Sequence, residues 1–405
     1  MAKITKINAR KIIDSRGNPT VEVDIYKDNK LIGRAAAPSG ASKGTFEVKD
    51  YPEGGVEIGV KNFNENVAKK LDGIEVGSQA NFDSKLHEID GTENFASIGG
   101  NITIAASLAY AKASANIEGI ELYEMILKQG NVKARMPKPL GNIIGGGKHA
   151  INGTTMQEFL AVSSGRNYVS SAFANISVHK KVSELLKLKF PSMSLGLGDE
   201  KAWVAPLTDI EAIEIMSNAI KYCSEKAGVE ISPAIDLAAS EFFENGKYQY
   251  KNKALSVDEQ VEYVANLAEK FNIKILEDPF DEEEFEGFSE LTKKIGRNTL
   301  IVGDDLFVTN KARLLKGIKA KAANAILIKP NQIGTLTDMI ETVTLANKNN
   351  YQTVISHRSG ETEDSTISHL AVGLGIGYIK TGTIGGERTA KHNELIRIEE
   401  KINNK

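Results

Sequence analysis

Hydrophobic and polar residues follow two different periods in the first third of this chain. Over residues 4–37 they alternate with the period of a strand, most clearly at 21–25, and residues 28–30 carry a turn signal. We expect an antiparallel meander there. Over residues 57–129 apolar and small side chains recur every three or four positions, as in 101–120, which predicts helices that cover the sheet.

Beyond Pro137 the pattern changes to short apolar runs separated by helical stretches such as 257–271. These runs rarely alternate with polar residues, which is typical of parallel strands covered by helices. Eight runs qualify, enough to close a barrel: 140–144, 158–162, 231–235, 273–276, 300–302, 325–328, 353–355 and 378–379. The sequence therefore predicts an α/β fold, with a (β/α)₈-type barrel over residues 135–405 and a smaller N-terminal α+β domain over 1–134.

The last six runs each end on an ionisable or metal-binding residue: Asp236, Glu277, Asp304, Lys329, His357 and Lys380. Successive members are 23 to 41 residues apart, about one strand, one helix and two loops. Because strand ends converge at one face of a barrel, these side chains are expected in a single pocket. Three acids and two lysines in one pocket predict a carboxylate-bound metal with lysine acid/base chemistry.

Asp236, Glu277 and Asp304 directly follow apolar runs, where an unpaired carboxylate is costly unless a cation compensates. Ligation by oxygen alone, without cysteines or paired histidines, favours Mg²⁺ or Mn²⁺ over Zn²⁺. The alternative is that each acid only caps the helix that follows it. Because three acids lie at equivalent positions, the metal site is favoured over helix capping.

Lys329 and Lys380 end apolar strands, where an ordinary lysine would be an unusual choice. Near another cation a buried ammonium loses its proton more readily, so such a lysine can serve as a base. Two structural ion pairs are the alternative. After His357, the residues Arg358 and Ser359 can bind a phosphate through a guanidinium fork and a hydroxyl.

Composition narrows the class of partner. The chain has 405 residues, 50 basic and 53 acidic, with a net charge of −3, so it has no basic footprint for nucleic acid. No apolar run reaches the length of a membrane helix, and the first ten residues lack the apolar core of a signal peptide. Cys223 is the only cysteine, which excludes an internal disulfide. We expect a cytoplasmic protein that binds a small molecule and makes no integral membrane contact.

Nine motifs are specific enough to compare with known families. They are DSRGNPTVEV (14–23), PSGAS (38–42), QEF (157–159), GDE (198–200), AIDLAASEF (234–242), LEDP (276–279), VGDDLFVTN (302–310), SHRSGETEDS (356–365) and GGERTAKHNELIRIEE (385–400). In number and order they are too specific to arise by chance, and they resemble the enolase family, most closely its archaeal members, over essentially the whole length.

The resemblance implies reversible dehydration of 2-phospho-D-glycerate to phosphoenolpyruvate, a lyase step of glycolysis and gluconeogenesis, with two Mg²⁺ ions. Asp236, Glu277 and Asp304 match the residues that hold the first ion, and Ser42 matches a loop residue that helps to hold the second. The family further implies a homodimer or an octamer.

The resemblance also implies individual catalytic roles. Lys329 matches the base that removes the carbon 2 proton, and Lys380 matches the lysine that binds the substrate carboxylate. Glu200, supported by Glu158, matches the acid that helps to expel the 3-hydroxyl as water. The residues that match the pocket lining or the phosphate site are His149, Gln157, His357, Arg358 and Ser359.

Two stretches depart from the family pattern. After Glu200 the family usually has two glycines and a phenylalanine, whereas residues 201–204 of this chain are bulkier, and Lys201 should favour the ionised form of Glu200. The loop 47–50 also differs. Two other functions stay open at this point: a related enzyme acting on another carboxylate substrate, and a non-catalytic relative that serves as a binding protein.

Overall fold

The N-terminal part of the chain begins with a small antiparallel sheet. The computed structural model describes residues 2–41, 44–130, 133–150 and 153–404, and for residue 149 the backbone alone. The sheet contains β1 (Lys6–Ile13), β2 (Pro19–Lys27) and β3 (Lys30–Ala36), in that order. Asp28 and Asn29 join β2 to β3 with φ angles of 49° and 62°, as a two-residue hairpin turn of type I′ requires. The predicted meander is confirmed.

Three helices pack against this sheet: α1 (Gly55–Asn62), α2 (Ala68–Leu71) and α4 (Gly100–Glu118). The helices α3 (Gln79–Asp90) and α5 (Leu122–Gly130) pack against α4. A π-helical turn over Phe63–Val67 joins α1 to α2. The helix α4 lies so close to β3 that a Cβ atom on Gly33 would be 2.1 Å from the carbonyl oxygen of Ala109. Only glycine permits this approach. The close packing of α4 against β3 completes the core of the small domain.

The remaining strands are β4 (Lys138–Gly145), β5 (Glu158–Ser164), β6 (Gly196–Leu197), β7 (Trp203–Val204), β8 (Glu230–Asp236), β9 (Phe243–Glu244), β10 (Lys247–Tyr250), β11 (Lys253–Leu255), β12 (Ile275–Glu277), β13 (Leu300–Gly303), β14 (Ala325–Ile328), β15 (Gln352–Ser356) and β16 (Tyr378–Lys380). The remaining helices are α6 (Tyr168–Lys189), α7 (Asp209–Ala227), α8 (Val257–Phe271), α9 (Phe285–Ile295), α10 (Lys311–Ala320), α11 (Pro330–Ile333), α12 (Leu336–Lys348), α13 (Thr366–Gly373) and α14 (Gly386–Asn403).

Eight of these strands form a closed barrel, in the order β4, β5, β8, β12, β13, β14, β15 and β16, and β16 pairs with β4 to close it. Each corresponds to one of the eight apolar runs, so the predicted barrel is confirmed. The predicted domain boundary near residue 135 falls between α5 and β4 and stays a prediction. Among the described residues, no helix is long and apolar enough to cross a membrane.

The prediction that all eight barrel strands are parallel is wrong for β5, which runs antiparallel to both β4 and β8. The reason is the connection: a parallel pair needs a crossover, usually a helix, whereas the described residues between β4 and β5 contain only a short 3₁₀ turn, Gly147–His149. The reversal places Glu158, the first residue of β5, directly beside Asp236, the last residue of β8.

Loops of the small domain lie against loops at the carboxyl end of the barrel strands. Ser39 forms a β-bridge with Gly360, and the backbone N–H of Ala41 donates a hydrogen bond of 2.7 Å to Oγ of Ser359. Farther out, Arg16 forms an ion pair of 3.0 Å with Asp199. The small domain therefore caps the face where the predicted site residues lie.

Candidate active site

The strand period explains why the predicted residues point into the barrel. The barrel interior is filled by apolar side chains that include Leu160, Ala234, Ile275, Val302, Leu327 and Val354. Side chains two positions apart on a strand face the same side. Asp236, Glu277, Asp304 and Lys329 each lie two positions beyond such an interior residue, at the carboxyl end of the strand. Glu158 lies two positions before one, at the same end, because β5 is reversed.

A small cavity of about 30 Å³ lies at this end of the barrel, under the cap. The predicted residues that line it are Gln157, Glu158, Glu200, Asp236, Asp304, Lys329, His357, Arg358, Ser359 and Lys380. Gly40 and Ala41 of the cap complete the lining together with Ser356. Glu277 lies next to Asp236 in the register of β8 and β12.

Lys380 lies among three carboxylates. Its Nζ is 2.9 Å from Oδ2 of Asp236, 2.8 Å from Oε1 of Glu277 and 3.3 Å from Oε2 of Glu158, and all four side chains are buried. Burial lowers the pKa of Lys380, but the surrounding carboxylates outweigh burial and hold that pKa well above its usual range. Lys380 is therefore a fixed positive charge in the floor of the cavity.

The acids beside Lys380 fit a divalent cation. Burial raises the pKa of Glu277 well above that of an ordinary glutamate, and the negative charge of Asp236 adds to the shift. The buried Oε2 of Glu277 accepts no hydrogen bond from any described residue. Lys380 is a single positive charge shared by three carboxylates, so a further cation is needed to balance them when all are ionised. Together with Asp304, these side chains offer the oxygen ligands that Mg²⁺ prefers.

Lys329 forms an ion pair with Oδ2 of Asp304, whose Oδ1 accepts a hydrogen bond of 3.1 Å from Gln332. Burial lowers the pKa of Lys329, but the carboxylate of Asp304 outweighs burial, and the pKa is raised. The sequence predicted the opposite direction. The predicted effect of a neighbouring cation exists, since Arg358 lowers the pKa of Lys329, but it is smaller than the effect of Asp304.

Asp278 was not singled out from the sequence, although it directly follows Glu277. Its carboxylate accepts hydrogen bonds from the backbone N–H groups of Asp304, at 2.9 Å, and Asp305, at 2.7 Å. Carboxylate oxygens of these three residues lie within 4.8 Å of one another, so this group is a second arrangement that could hold a metal ion. Burial and the charge of Asp304 raise the pKa of Asp305 to about 8.

Glu200 lines the same cavity as Asp236 and Asp304. Its Oε2 is 3.2 Å from Nδ2 of Asn142, which donates, and 3.4 Å from Nε2 of His357. Burial raises the pKa of Glu158 well above its usual range, and the charge of Glu200 adds to this shift. Asn142 was missed, although a polar residue inside the apolar run of β4 is a signal that could have identified it.

Arg358, the predicted phosphate ligand, binds a carboxylate of the cap. Its Nη1 and Nη2 donate to Glu47 at 2.9 Å and 3.0 Å in a two-pronged ion pair, and Nη1 also donates to Asn331 at 3.1 Å. Glu47 lies in the loop that departs from the family pattern. It was missed because nothing in the sequence pairs it with a residue more than 300 positions away.

Three other predicted residues complete this comparison. The amide of Gln157 donates to Oδ2 of Asp236 at 3.4 Å, so it supports the acids at the base of the cavity. Ser42 lies outside the described residues. The side chain of His149 is likewise outside the description, although its backbone belongs to the turn Gly147–His149. Roles for these two residues stay predictions.

Residues 201–204, which depart from the family pattern after Glu200, begin with a residue in a left-handed backbone conformation. Lys201 adopts a φ of 61°, a left-handed conformation that suits the glycine found there in the family. His179 donates to the carbonyl oxygen of Lys201 at 2.8 Å, and Trp203 donates to the carbonyl oxygen of His179 at 3.0 Å. These contacts hold the turn. Among the described residues Lys201 has no ion pair, and its effect on Glu200 stays a prediction.

Comparison with known proteins agrees with this geometry. Residues 4–126 match the family model "Enolase, N-terminal domain", and residues 133–405 match "Enolase, C-terminal TIM barrel domain". The chain is 47% identical to an enolase of Picrophilus torridus over 400 residues, which is 99% of each chain. It is 49% identical to an enolase of Methanothermobacter thermautotrophicus over 405 residues, covering 98% of this chain and 97% of the relative. The chain belongs to the enolase family.

Proposed function

We propose that this protein catalyses the Mg²⁺-dependent, reversible dehydration of 2-phospho-D-glycerate to phosphoenolpyruvate, the phosphopyruvate hydratase step of glycolysis and gluconeogenesis. One observation carries the proposal: Lys329 and Glu200 line the same buried cavity. A base and an acid on one cavity are what an elimination needs, since a proton leaves carbon 2 and a hydroxyl leaves carbon 3. Membership of the enolase family supports the identity of the substrate.

Lys329 is the proposed base for the carbon 2 proton. Its ammonium must first be deprotonated, and the ion pair with Asp304 opposes this. A cation other than Lys329 that balanced the charge of Asp304 would remove the largest influence that raises the pKa of Lys329. Burial and the nearby Arg358 then lower the pKa, which suits a general base at neutral pH.

Removal of the carbon 2 proton adds negative charge to the substrate carboxylate. Lys380, a permanent cation in the cavity floor, is placed to bind that carboxylate. Asp236, Glu277 and Asp304 would hold one Mg²⁺, and Ser42 would help to hold another. Bound Mg²⁺ supplies electrostatic stabilisation of the charge that develops on the carboxylate oxygens. Preorganised charges of this kind typically lower a barrier by several kcal/mol.

Loss of the 3-hydroxyl needs a proton, and the pair of Glu158 and Glu200 can supply one. Burial raises the pKa of Glu158 well above its usual range, and the charge of Glu200 adds to this shift, which favours a proton held by the pair. Asn142 and His357 surround Oε2 of Glu200 and can stabilise the carboxylate that remains after proton transfer. Glu200 is therefore the proposed acid, with Glu158 in support.

A coupled ultraviolet assay for phosphoenolpyruvate, with 2-phosphoglycerate and Mg²⁺ present, tests the proposal directly. Turnover on 2-phosphoglycerate supports it. Turnover only on a carboxylate without a phosphate would favour a different enzyme of the same superfamily. Absence of turnover on both would favour a binding protein. We propose further that the chain acts in the cytoplasm. We also propose that it forms a homodimer or an octamer, and light scattering of the purified protein can test this oligomeric state.

Metal affinity of two variants should identify the metal ligands. Asp304 belongs to both acidic groups, so the informative changes are Glu277→Gln and Asp305→Asn. We expect Glu277→Gln to weaken Mg²⁺ binding by more than about 100-fold, the upper range for a residue that only supports a ligand. Asp305→Asn should weaken it by less. Isothermal titration measures both, and the reverse order would assign the ion to the group of Asp278, Asp304 and Asp305.

Arg358→Lys should raise KM for 2-phosphoglycerate more than it lowers kcat. Lysine retains the charge but loses the fork that can grip a phosphate. Losing one hydrogen bond to a charged group costs about 1.5–3 kcal/mol, so we expect KM to rise roughly 10- to 100-fold. Arg397→Lys, on the exposed face of α14, is the control. An unchanged KM in Arg358→Lys would contradict phosphate binding by this residue.

A further inference from the structure

Arg388 is a fully buried cation that none of the proposed catalytic steps uses. Its Nη1 lies 2.8 Å from Nδ1 of His357 and donates a hydrogen bond of 2.8 Å to the carbonyl oxygen of Arg358. Its Nη2 donates to the carbonyl oxygen of Ser359 at 2.8 Å. These bonds fix three consecutive residues of the loop that follows β15, all of which line the cavity.

The contact between Arg388 and His357 has only one possible direction. A guanidinium has donors and no acceptor, so Nδ1 of His357 must accept the hydrogen bond. An imidazole nitrogen that accepts carries no proton. The proton of a neutral His357 is therefore on Nε2. Burial lowers the pKa of His357 to about 4, so the ring is neutral at neutral pH.

The Nε2 atom faces Glu200. It lies 3.4 Å from Oε2, and both side chains are buried. Among the described residues Nε2 has no hydrogen-bond partner, so its N–H group is close to this carboxylate without being aligned to it. Asn142 donates to the same oxygen at 3.2 Å.

We infer that Arg388 is a positioning residue that fixes the Nε2-protonated tautomer of His357 and thereby keeps an N–H group within 3.4 Å of Oε2 of Glu200. The tautomer assignment is independent of the reaction. Its consequence for catalysis rests on the proposed function: the N–H group stabilises the Glu200 carboxylate after its proton has gone to the leaving hydroxyl. Arg388 therefore acts on the loss of the hydroxyl through His357 and Glu200.

Nitrogen NMR of the protein labelled with ¹⁵N-histidine tests the tautomer in the intact chain. The sequence has six histidines, and the spectrum of His357→Gln identifies the signals of His357 by their disappearance. We expect Nε2 of His357 to show the shift of a protonated nitrogen and Nδ1 that of an unprotonated one at neutral pH. The opposite pattern, or two protonated nitrogens, would overturn the inference. This measurement needs no Arg388 variant, which is useful because a fully buried arginine is difficult to replace.

A matched pair of variants tests the consequence. The amide of His357→Gln can place an N–H near the position of Nε2, whereas the shorter His357→Asn can offer an acceptor to Arg388 but no donor to Glu200. The readout is the ratio of phosphoenolpyruvate formation to carbon 2 exchange with deuterium. We expect this ratio to fall about tenfold further in His357→Asn than in His357→Gln, the factor for one hydrogen bond to a charged group.

Equal ratios in the two variants, with an active wild type, would overturn the inference and leave the proposed function intact. A wild type that neither exchanges nor dehydrates 2-phosphoglycerate would instead overturn the proposed function. In that case the NMR spectrum alone decides whether Arg388 fixes the tautomer.

Discussion

Replacing Lys329 by alanine is expected to abolish exchange of the carbon 2 proton of 2-phosphoglycerate with solvent deuterium. A positioned general base typically contributes about 10²- to 10⁴-fold to the rate, and among the described residues no other amine is matched to this role. Substrate binding should largely survive, because Lys380 and Arg358 are unchanged. Proton NMR in deuterated buffer follows the exchange, and isothermal titration follows binding.

Lys311→Ala is a suitable control for this experiment. Lys311 is the first residue of α10, the helix that follows β13, so it also comes after a barrel strand. Its side chain, however, is more than half exposed and pairs with Glu341 on the surface. Its loss should leave exchange at the wild-type rate. If Lys329→Ala exchanges as fast as wild type, another group removes the proton and the assignment of the base is wrong.

Complete removal of divalent cations should abolish turnover. Without a cation the carboxylates of Asp236, Glu277 and Asp304 have only lysines to balance them, and Lys329 keeps its proton through its pair with Asp304. Because metal ions contribute several kcal/mol to such steps, we expect a loss of more than about 1,000-fold. Turnover after chelation, and again after Mg²⁺ is restored, measures it.

A stability measurement gives an independent check of metal binding. An ion that binds only the folded state raises the melting temperature in proportion to the logarithm of its concentration. Mg²⁺ should therefore raise the melting temperature of wild type more than that of Glu277→Gln. Full turnover after exhaustive chelation, together with a melting temperature that Mg²⁺ does not change, would contradict the metal site.

The barrel could be predicted because its signal is local. An interior residue and its functional residue are two positions apart, on one short strand or at its end, as in Ala234 and Asp236. The direction of both side chains can therefore be predicted from neighbouring positions in the sequence. The reversal of β5 is different. It depends on a connection that contains a short turn, Gly147–His149, in place of a helix, and an apolar run such as 158–162 carries no mark of strand direction.

The contacts within the site could be predicted less well than its members. The strand ends specify that Lys329 and Asp304 converge, but the ion pair that reverses the expected pKa shift of Lys329 depends on side-chain geometry. Glu47 and Arg388 reach the loop after β15 from the cap and from the last helix. No local pattern connects them to it, because each contact is made only once the chain has folded.

The ion pair between Glu47 and Arg358 constrains how the sequence of this protein can evolve. The pair joins a side chain of the cap to a side chain of the barrel. A recombination event that replaced the cap with that of a distant relative would exchange Glu47 and keep Arg358. The two domains are therefore expected to be inherited together, and substitutions at their shared surface to occur in compensating pairs.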